Sequence, residues 1–384
     1  MRRIGVASRG CDLIGITTFL WRDLEQILFP DRDPHAIPSM DGPFSPNDRL
    51  DEATPIGDAI PGADGIAEAA DGTICVSAGK RVWRLSGADT ANRAVFAEFD
   101  LDVGALAFHP DGRLLACTAH GLAAIEPASG RATFLSEAEG EPLRCLTAIA
   151  VASDGSIFAS DGSARHPASD WCVDLMERNN LGRIVAIDSS LRNARVLLRG
   201  LSYPAGLAVA DGSLWFSESF AHRLSRAAIS PDGTIGAPQI VIRNMPGYPC
   251  RLARSSDGFW LSLFGVRTHL IEFVLREDDF REEMMRVIPR EYWVAPAFAN
   301  GGDCLEPMQF GGIKALGIQK PWAPPRSYGL VARLNPNGEV VETLHSRVGG
   351  RYHGVTAAIE TAQGVVVVSK GSGRVLLHKR DARP

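Results

Sequence analysis

Several features that would assign this chain to a common functional class are absent. Its 384 residues carry a net charge of −5, with a pI near 6.0. There is no basic stripe and no aromatic stacking platform, so nucleic-acid binding is not expected. The longest apolar segment, 11–29, is interrupted by Asp12, Arg22, Asp23 and Glu25. It is interpreted as an amphipathic helix that packs on the protein, not as a signal sequence or a membrane span, and the expected compartment is the cytoplasm.

Recognisable catalytic and metal-binding motifs are also missing. The seven cysteines are scattered, with no C-x-x-C spacing, so neither a zinc ribbon nor a disulfide framework is predicted. We find no G-x-S-x-G elbow, H-E-x-x-H helix, P-loop or glycine-rich dinucleotide fingerprint. Classical serine hydrolase, zinc protease and nucleotide-driven chemistry are therefore not expected.

The chain does contain one phrase that recurs six times. Each copy has a small-residue entrance, a few alternating apolar positions, Asp-Gly and then an apolar run, and the last copy has Gln-Gly in place of Asp-Gly. The copies lie at 65–77, 105–117, 148–160, 203–216, 251–263 and 355–369. Asp-Gly between two short apolar segments favours a tight hairpin, because both residues tolerate a positive φ. Repeats of about 40 to 50 residues, each worth a few strands, predict an all-β, six-bladed β-propeller.

The domain organisation follows from where this repeat begins and where it is interrupted. We predict a propeller over 62–384, preceded by an N-terminal helix and wrapping arm at 1–61. Two insertions, 161–181 and 270–327, break the pattern, and the second has helical spacing inside blade five. Long insertions at one end of a propeller commonly shape its central pocket. A lid that only buries a blade edge, or a surface that forms a homo-oligomer, is the alternative.

Four segments carry a resemblance to a known family. They are Leu-Ser-Tyr-Pro-Ala-Gly-Leu-Ala-Val-Ala-Asp-Gly, Phe-Ser-Glu-Ser-Phe-Ala-His-Arg-Leu-Ser-Arg, Met-Pro-Gly-Tyr-Pro and Arg-Tyr-His-Gly-Val-Thr. From about Pro38 onwards the chain resembles the strictosidine-synthase-like branch of the six-bladed propellers, which is related to the gluconolactonase/SMP-30 hydrolases. The resemblance implies a small-molecule substrate in the central pocket. It does not by itself imply one chemistry, because this fold hosts several.

The resemblance also indicates where a metal would be held. The lactonase relatives bind one divalent cation through side-chain oxygens at the blade entrances. The matching positions here are Asp64, Thr147, Ala205 and Cys250. Only Asp64 is a good ligand for a hard cation. We therefore predict no cofactor and no metal, although calcium, or zinc held by Cys250 and a histidine, remains open.

The predicted catalytic residues lie in the last repeat and the first. The acid/base glutamate of the plant enzyme that names the branch falls on Thr356, close to His353. Threonine cannot move a proton near neutral pH, whereas imidazole can. We predict His353 as the acid/base, with Asp64 and Thr356 positioning substrate or water. The alternative is that His353 hydrogen-bonds a neighbouring blade.

A second set of residues is predicted to contact the substrate. These residues stand at blade entrances, at strand ends or in the blade-three insertion, and they are Thr147, Asp161, Trp171, Glu218, Tyr248, Cys250 and Arg351. Arg351 suits a carboxylate or carbonyl oxygen. Each has a structural alternative: a salt bridge for Glu218 with Arg223, and a buried inert thiol for Cys250.

These observations predict a small-molecule hydrolase that acts on an ester or lactone in the central pocket. A metal-free lyase or condensing enzyme, which makes or breaks a carbon–carbon or carbon–nitrogen bond, is the second interpretation. A non-catalytic small-molecule binder is the third.

Overall fold

A computed structural model describes residues 35–86, 92–127, 129–300, 306, 314–315, 318–319 and 325–379. Six four-stranded antiparallel sheets form a six-bladed propeller, which confirms the predicted fold class. The predicted N-terminal helix at 11–29 lies outside the described residues. So does much of the 301–324 part of the second insertion.

The blades follow the chain order, each running from its innermost strand outwards. Blade one is Ala63–Glu68, Ile74–Ala78, Arg81–Ser86 and Asn92–Glu98; blade two is Val103–Phe108, Leu114–Thr118, Gly121–Ile125 and Ala132–Leu135; blade three is Leu146–Val151, Ile157–Asp161, Gly182–Ile187 and Ala194–Leu201. Blade four is Pro204–Ala210, Ser213–Glu218, Arg223–Ala228 and Gln239–Ile242; blade five is Gly247–Ser255, Gly258–Val266, Gly329–Leu334 and Val340–Ser346. Blade six consists of Val355–Thr361, Gly364–Ser369, Arg374–His378 and Thr54–Pro55. Two short hairpins, Glu137–Ala138 with Glu141–Pro142 and Lys314–Ala315 with Ile318–Gln319, lie outside the blades.

The outermost strand of blade six comes from the segment that precedes blade one. Thr54 pairs with Leu377 and Pro55 with Leu376. The backbone N–H groups of Ile56 and Ile60 then donate to the carbonyls of Val375 and Gly373, both at 2.8 Å. The end of the predicted arm is therefore the strand that closes the ring.

The recurring Asp-Gly pair makes the turn between the first and second strands of a blade. In blade one the Asp71 carboxylate accepts the N–H of Thr73 at 2.9 Å, and Gly72 has a φ of 79°. Blade three repeats this arrangement, with Asp154 accepting from Ser156 at 2.8 Å and Gly155 at a φ of 86°. The aspartate fixes the turn and the glycine takes a left-handed conformation that other residues adopt only at a cost.

The apolar core is divided among the six contacts between neighbouring blades. Each contact has its own cluster of buried side chains. Ile149 and Leu115 pack between blades two and three, for example, and Trp260 and Val365 pack between blades five and six. Because both faces of a blade are covered in this way, the second strand of each blade is buried along nearly its whole length.

The helices belong mainly to the two insertions. Helix α1, Trp171–Met176, lies in blade three; helices α2, His269–Arg276, and α3, Asp278–Val287, lie between the second and third strands of blade five, which confirms the predicted helical insertion. The described residues also contain three short 3-10 helices, Gly42–Phe44, Ala168–Asp170 and Arg290–Tyr292. Side chains of α1, α2 and α3 pack together in one apolar cluster with Tyr248 and Phe264. No helix in the described residues is both long and apolar enough to cross a lipid bilayer.

Candidate functional site

A cavity of about 520 Å³ lies at the centre of the propeller. The innermost strands of all six blades contribute to its lining, and both insertions reach it. Its aromatic wall consists of Trp171, Phe264 and Phe298, with ring centroids 5.0 to 5.3 Å apart. The volume is in the range of pockets that hold small organic ligands.

Asp64, Arg251 and Lys370 form a charged triad on the lining of this cavity. Arg251 Nη1 donates to Asp64 Oδ1 at 2.7 Å, and Lys370 Nζ donates to Asp64 Oδ2 at 2.8 Å. The triad joins blade one, the innermost strand of blade five and the end of the second strand of blade six. Asp64 and Arg251 are each 16% exposed and Lys370 is 32% exposed. The three charges are therefore partly withdrawn from water but remain accessible from the cavity.

The triad fixes the protonation state of Asp64. Burial on its own raises the pKa of the carboxyl group, but the charges of Arg251 and Lys370 outweigh burial and hold the pKa well below its usual range. Asp64 is therefore ionised throughout the neutral range. It can accept hydrogen bonds, but it cannot act as a general acid and is a weak base.

Arg251 lies against the backbone of other blades as well. Its Nη1 also donates to the Asp64 carbonyl at 2.6 Å, and its Nε donates to the Thr147 carbonyl at 3.2 Å. No acceptor among the described residues uses its Nη2 amino group. A guanidinium that is anchored on one side and has free donors on the other can bind a ligand oxygen with little loss of side-chain entropy.

Thr147 and Thr356 line the cavity, and each hydroxyl group is used to join two blades. Thr356 Oγ1 donates to the Asp64 carbonyl and Thr147 Oγ1 to the Pro204 carbonyl, both at 2.6 Å. Serines in the second strands do the same: Ser217 donates to the Cys250 carbonyl at 2.7 Å. The ring of hydroxyls ties the innermost strands together around the axis.

His353 lies outside the cavity lining, contrary to the sequence-based assignment. Its Nδ1 is 2.7 Å from Ser327 Oγ, and its Nε2 is 3.0 Å from the Arg347 carbonyl. Both contacts are to residues that flank strands of blade five, and burial lowers the pKa of the imidazole. This arrangement is the structural alternative, in which His353 ties blade six to its neighbour. We therefore assign it no catalytic role.

Asp161 and Glu218 also lie outside the lining, and each is paired within its own blade. Asp161 accepts from Arg183 Nε at 2.9 Å and from the Cys145 N–H at 2.8 Å. Glu218 accepts from Arg223 Nε at 2.6 Å. In both blades the carboxylate and the arginine are direct cross-strand partners. The structural alternative, a salt bridge, describes both residues.

The remaining predicted contacts divide between the cavity and its surroundings. Trp171 and Cys250 line the cavity, and burial raises the pKa of the Cys250 thiol, so it stays protonated. Tyr248 is fully buried behind Phe264, with ring centroids 5.1 Å apart. Arg351 is exposed and hydrogen-bonds Asp51, whose carboxylate accepts the Arg351 N–H at 2.8 Å. Neither Tyr248 nor Arg351 reaches the cavity.

Sequence reasoning missed the two cations of the triad. Lys370, Asp161 and Glu218 each come directly after a serine at the same place in the repeat. This equivalence could have marked Lys370 as a candidate site residue. The two acids find an arginine across their own sheet, whereas Lys370 has no such partner and pairs with Asp64 instead. Arg251 gave no comparable signal.

The residues at the blade entrances do not fit a divalent cation. Both carboxylate oxygens of Asp64 accept hydrogen bonds from cationic side chains, and the nearby carbonyls of Asp64 and Thr147 accept from Arg251. A hard cation needs several such oxygens and would be repelled by the guanidinium. The described residues contain no group of three or more His, Cys, Asp or Glu side chains that could hold a metal.

Comparison with known sequences finds similarity to one described family. The model of the family described as strictosidine synthase matches residues 147–231, which span the innermost strand of blade three to the third strand of blade four. Protein STRICTOSIDINE SYNTHASE-LIKE 4 of Arabidopsis thaliana is 27% identical over 195 residues, which are 49% of this chain and 52% of the relative. The chain spans about half the length of the curated relatives it matches. The predicted resemblance to strictosidine-synthase-like proteins is confirmed.

Solved structures extend the fold assignment to a second group. A gluconolactonase from Xanthomonas campestris is 15% identical, with a TM-score of 0.55, over 85% of this chain and 90% of that one. Regucalcin from Agrobacterium tumefaciens, a calcium-binding protein, is 14% identical, with a TM-score of 0.54, over 83% of this chain and 90% of that one. At these identities the likeness shows the fold alone.

Proposed function

We propose that this protein hydrolyses a small ester or lactone in its central cavity. The observation that carries the proposal is the charged triad: two cations beside an ionised carboxylate, on the lining of a cavity that also has an aromatic wall. Fixed cations that face a carbonyl oxygen stabilise the negative charge that develops on it during hydrolysis. The gluconolactonase-like fold supports this reaction class.

In this proposal Arg251 Nη2 and Lys370 Nζ donate hydrogen bonds to the carbonyl oxygen of the substrate. Asp64 keeps both cations in place and accepts a hydrogen bond from the attacking water. The oxyanion that forms as the water adds is stabilised by the donors that held the carbonyl. Its collapse breaks the acyl C–O bond and releases the alcohol, or the hydroxyl end of an opened lactone, which takes its proton from solvent. The apolar part of the substrate packs against Trp171 and Phe298.

The proton of the attacking water has no well-matched acceptor in the described lining. Asp64 is too weak a base, because its pKa is depressed, and the thiol of Cys250 is held protonated by burial. No histidine is among the residues that line the described cavity. The proposal therefore predicts that hydroxide from solvent takes the proton or attacks directly, and that kcat/KM rises with pH without a bell-shaped maximum.

Turnover of a panel of aromatic and aliphatic esters and lactones by the purified full chain tests the proposal. We expect Arg251→Met and Lys370→Met each to lower kcat/KM by about a hundredfold, the scale expected for loss of one oxyanion donor. Arg254→Met, which removes a 64%-exposed arginine that is not part of the cavity lining, is the matched control and should leave kcat/KM unchanged. A hydrolysis rate unaffected by both cavity substitutions would refute the assignment of these roles.

A second function, non-catalytic binding of a small molecule, is favoured by the same lack of a well-matched base. A binder would retain a ligand at the triad without turning it over. Absence of turnover across the panel, together with saturable binding of one of its members, would support this function over hydrolysis. A condensing role gains no comparable support, because the Thr356 hydroxyl is committed to the Asp64 carbonyl.

A further inference from the structure

We infer that the charged triad is a binding site for a small carboxylate, and that the ligand of the cavity is a monoanion with an apolar body. The inference deepens the proposed function, on which it rests for the identity of the site, by naming the class of the acid that is released or recognised. Nothing in the resemblance or in the comparisons assigns such a site.

The first support is charge. Arg251 and Lys370 carry two positive charges and Asp64 one negative charge, which leaves the triad with a net charge of +1. Among the described residues the cavity lining includes four basic side chains, Lys80, Arg144, Arg251 and Lys370, and two acidic ones, Asp64 and Asp102. This positive cavity stands in a chain whose net charge is −5. The excess positive charge is therefore local to the cavity.

The second support is the set of donors that remain unused. Arg251 Nε and Nη1 are taken by the Thr147 carbonyl and by Asp64, so the two hydrogens of Nη2 are available. Lys370 Nζ donates to Asp64, and within the described residues no other acceptor takes its two remaining hydrogens. A carboxylate has two acceptor oxygens in one plane, which suits two neighbouring cationic donors.

The net charge of the triad also determines which ligand charge the site should prefer. The cations bonded to Asp64 are Arg251 and Lys370. A monocarboxylate held between them makes the triad neutral, whereas a dicarboxylate held there leaves an excess negative charge beside Asp64 in a partly desolvated site, whatever charges lie elsewhere on the lining. Uncompensated charge in such a site is costly. The site should therefore prefer a monoanion to both a neutral analogue and a dianion.

The aromatic wall of the cavity indicates which apolar group the ligand should carry. Phe298 lies beneath Lys370, with Nζ 5.0 Å from the ring centroid, and Trp171 packs edge-on against both Phe298 and Phe264. An aryl or branched alkyl group next to the carboxylate would contact these rings while its charge meets the triad.

Three probes that share an aromatic body test the inference: phenylacetate, phenylacetamide and phenylmalonate. Isothermal titration of the full chain should show phenylacetate binding about tenfold or more tightly than phenylacetamide, as expected for two charge-assisted hydrogen bonds, and more tightly than phenylmalonate. Arg251→Met and Lys370→Met should each abolish most of this preference. Arg254→Met should retain it.

Equal affinity for phenylacetate and phenylacetamide, or an unchanged preference in the Lys370→Met variant, would overturn the inference. Lys370→Met serves when Arg251→Met does not fold, because Lys370 is the more exposed cation and makes one hydrogen bond against three for Arg251. The outcome is separable from that of the proposed function. Selective binding of phenylacetate without ester turnover refutes hydrolysis alone, and ester turnover without carboxylate preference refutes this inference alone.

Discussion

Replacing Arg251 should destabilise the propeller, and the loss in free energy of unfolding should depend on whether Asp64 keeps its charge. Arg251→Met removes two hydrogen bonds to Asp64 and one to Thr147. Charge-assisted hydrogen bonds contribute about 1.5–3 kcal/mol each, but the cavity lets water replace part of them, so we expect a total loss of about 3 kcal/mol. Asp64→Asn leaves Arg251 and Lys370 facing each other without a counter-ion and should cost about 2 kcal/mol.

The double variant isolates the interaction itself. With both charges gone, neither an unpaired carboxylate nor an unpaired guanidinium is left, so the two losses should not add. We expect a coupling free energy of about 2 kcal/mol between Asp64 and Arg251.

Urea unfolding followed by tryptophan fluorescence measures all four proteins of this cycle. The control cycle uses Asp211 and Arg254, whose atoms are 3.9 Å apart and whose side chains are 80% and 64% exposed. An exposed pair of this kind should show a coupling of about 0–0.5 kcal/mol. Additive losses at Asp64 and Arg251, similar to the control, would refute the view that the triad acts as one charged unit.

Four further outcomes are expected. Burial lowers the pKa of His345 from 6.5 to about 4, so between these pH values the unfolded chain takes up a proton that the folded protein does not. The free energy of unfolding should therefore fall by about 3 kcal/mol as the pH drops from 6.5 towards 4. Urea unfolding compared across this pH range should show a smaller loss in His345→Asn. His353→Ala should lower the melting temperature but leave kcat/KM within about threefold, because the ring contacts blade five and not the cavity; a hundredfold loss on the scale of an acid/base residue would restore its catalytic role. Adding a chelator should leave the unfolding midpoint unchanged, and a large downward shift would reveal a cation site. Gly206→Ala should destabilise by about 2–3 kcal/mol, because its new Cβ would lie 2.2 Å from the Cys250 carbonyl; Gly236→Ala, whose nearest atom is at 3.8 Å, is the control.

The fold could be predicted because its signals are local. An Asp-Gly turn needs only its own few residues, and the five Asp-Gly copies, with Gln-Gly in the sixth, mark six hairpins whatever surrounds them. Closure of the ring could not be predicted in the same way. Thr54 and Pro55 form a two-residue strand, exposed and without alternation, and only their pairing partners at the far end of the chain define it.

The site was predictable in part. Asp64, Thr147, Trp171, Cys250 and Thr356 line the cavity, because entrances of repeats face the axis and insertions at one end reach it. The partners of these residues were not visible in the sequence.

Arg251 was missed because an arginine beside a blade entrance is usually solvated. What makes it part of the site is Asp64, a residue in another blade. His353 was misplaced because Gly354, at a φ of 63°, lies between it and the innermost strand of blade six. The sequence repeat extends across this turn, but the backbone changes direction there, so His353 does not lie at the blade-entrance position that the repeat predicts.

Closure of the ring by Thr54–Pro55 constrains the order in which the protein can fold during synthesis. The outer strand of blade six is made before any blade, yet its partner, Arg374–His378, is the last strand of the propeller to be translated. Blades one to five can pair their own strands as they emerge, but the faces that blades one and five present to blade six stay uncovered until the end. The growing chain therefore carries exposed apolar surface for most of its synthesis, and this interval is when it is most open to aggregation and to chaperone binding.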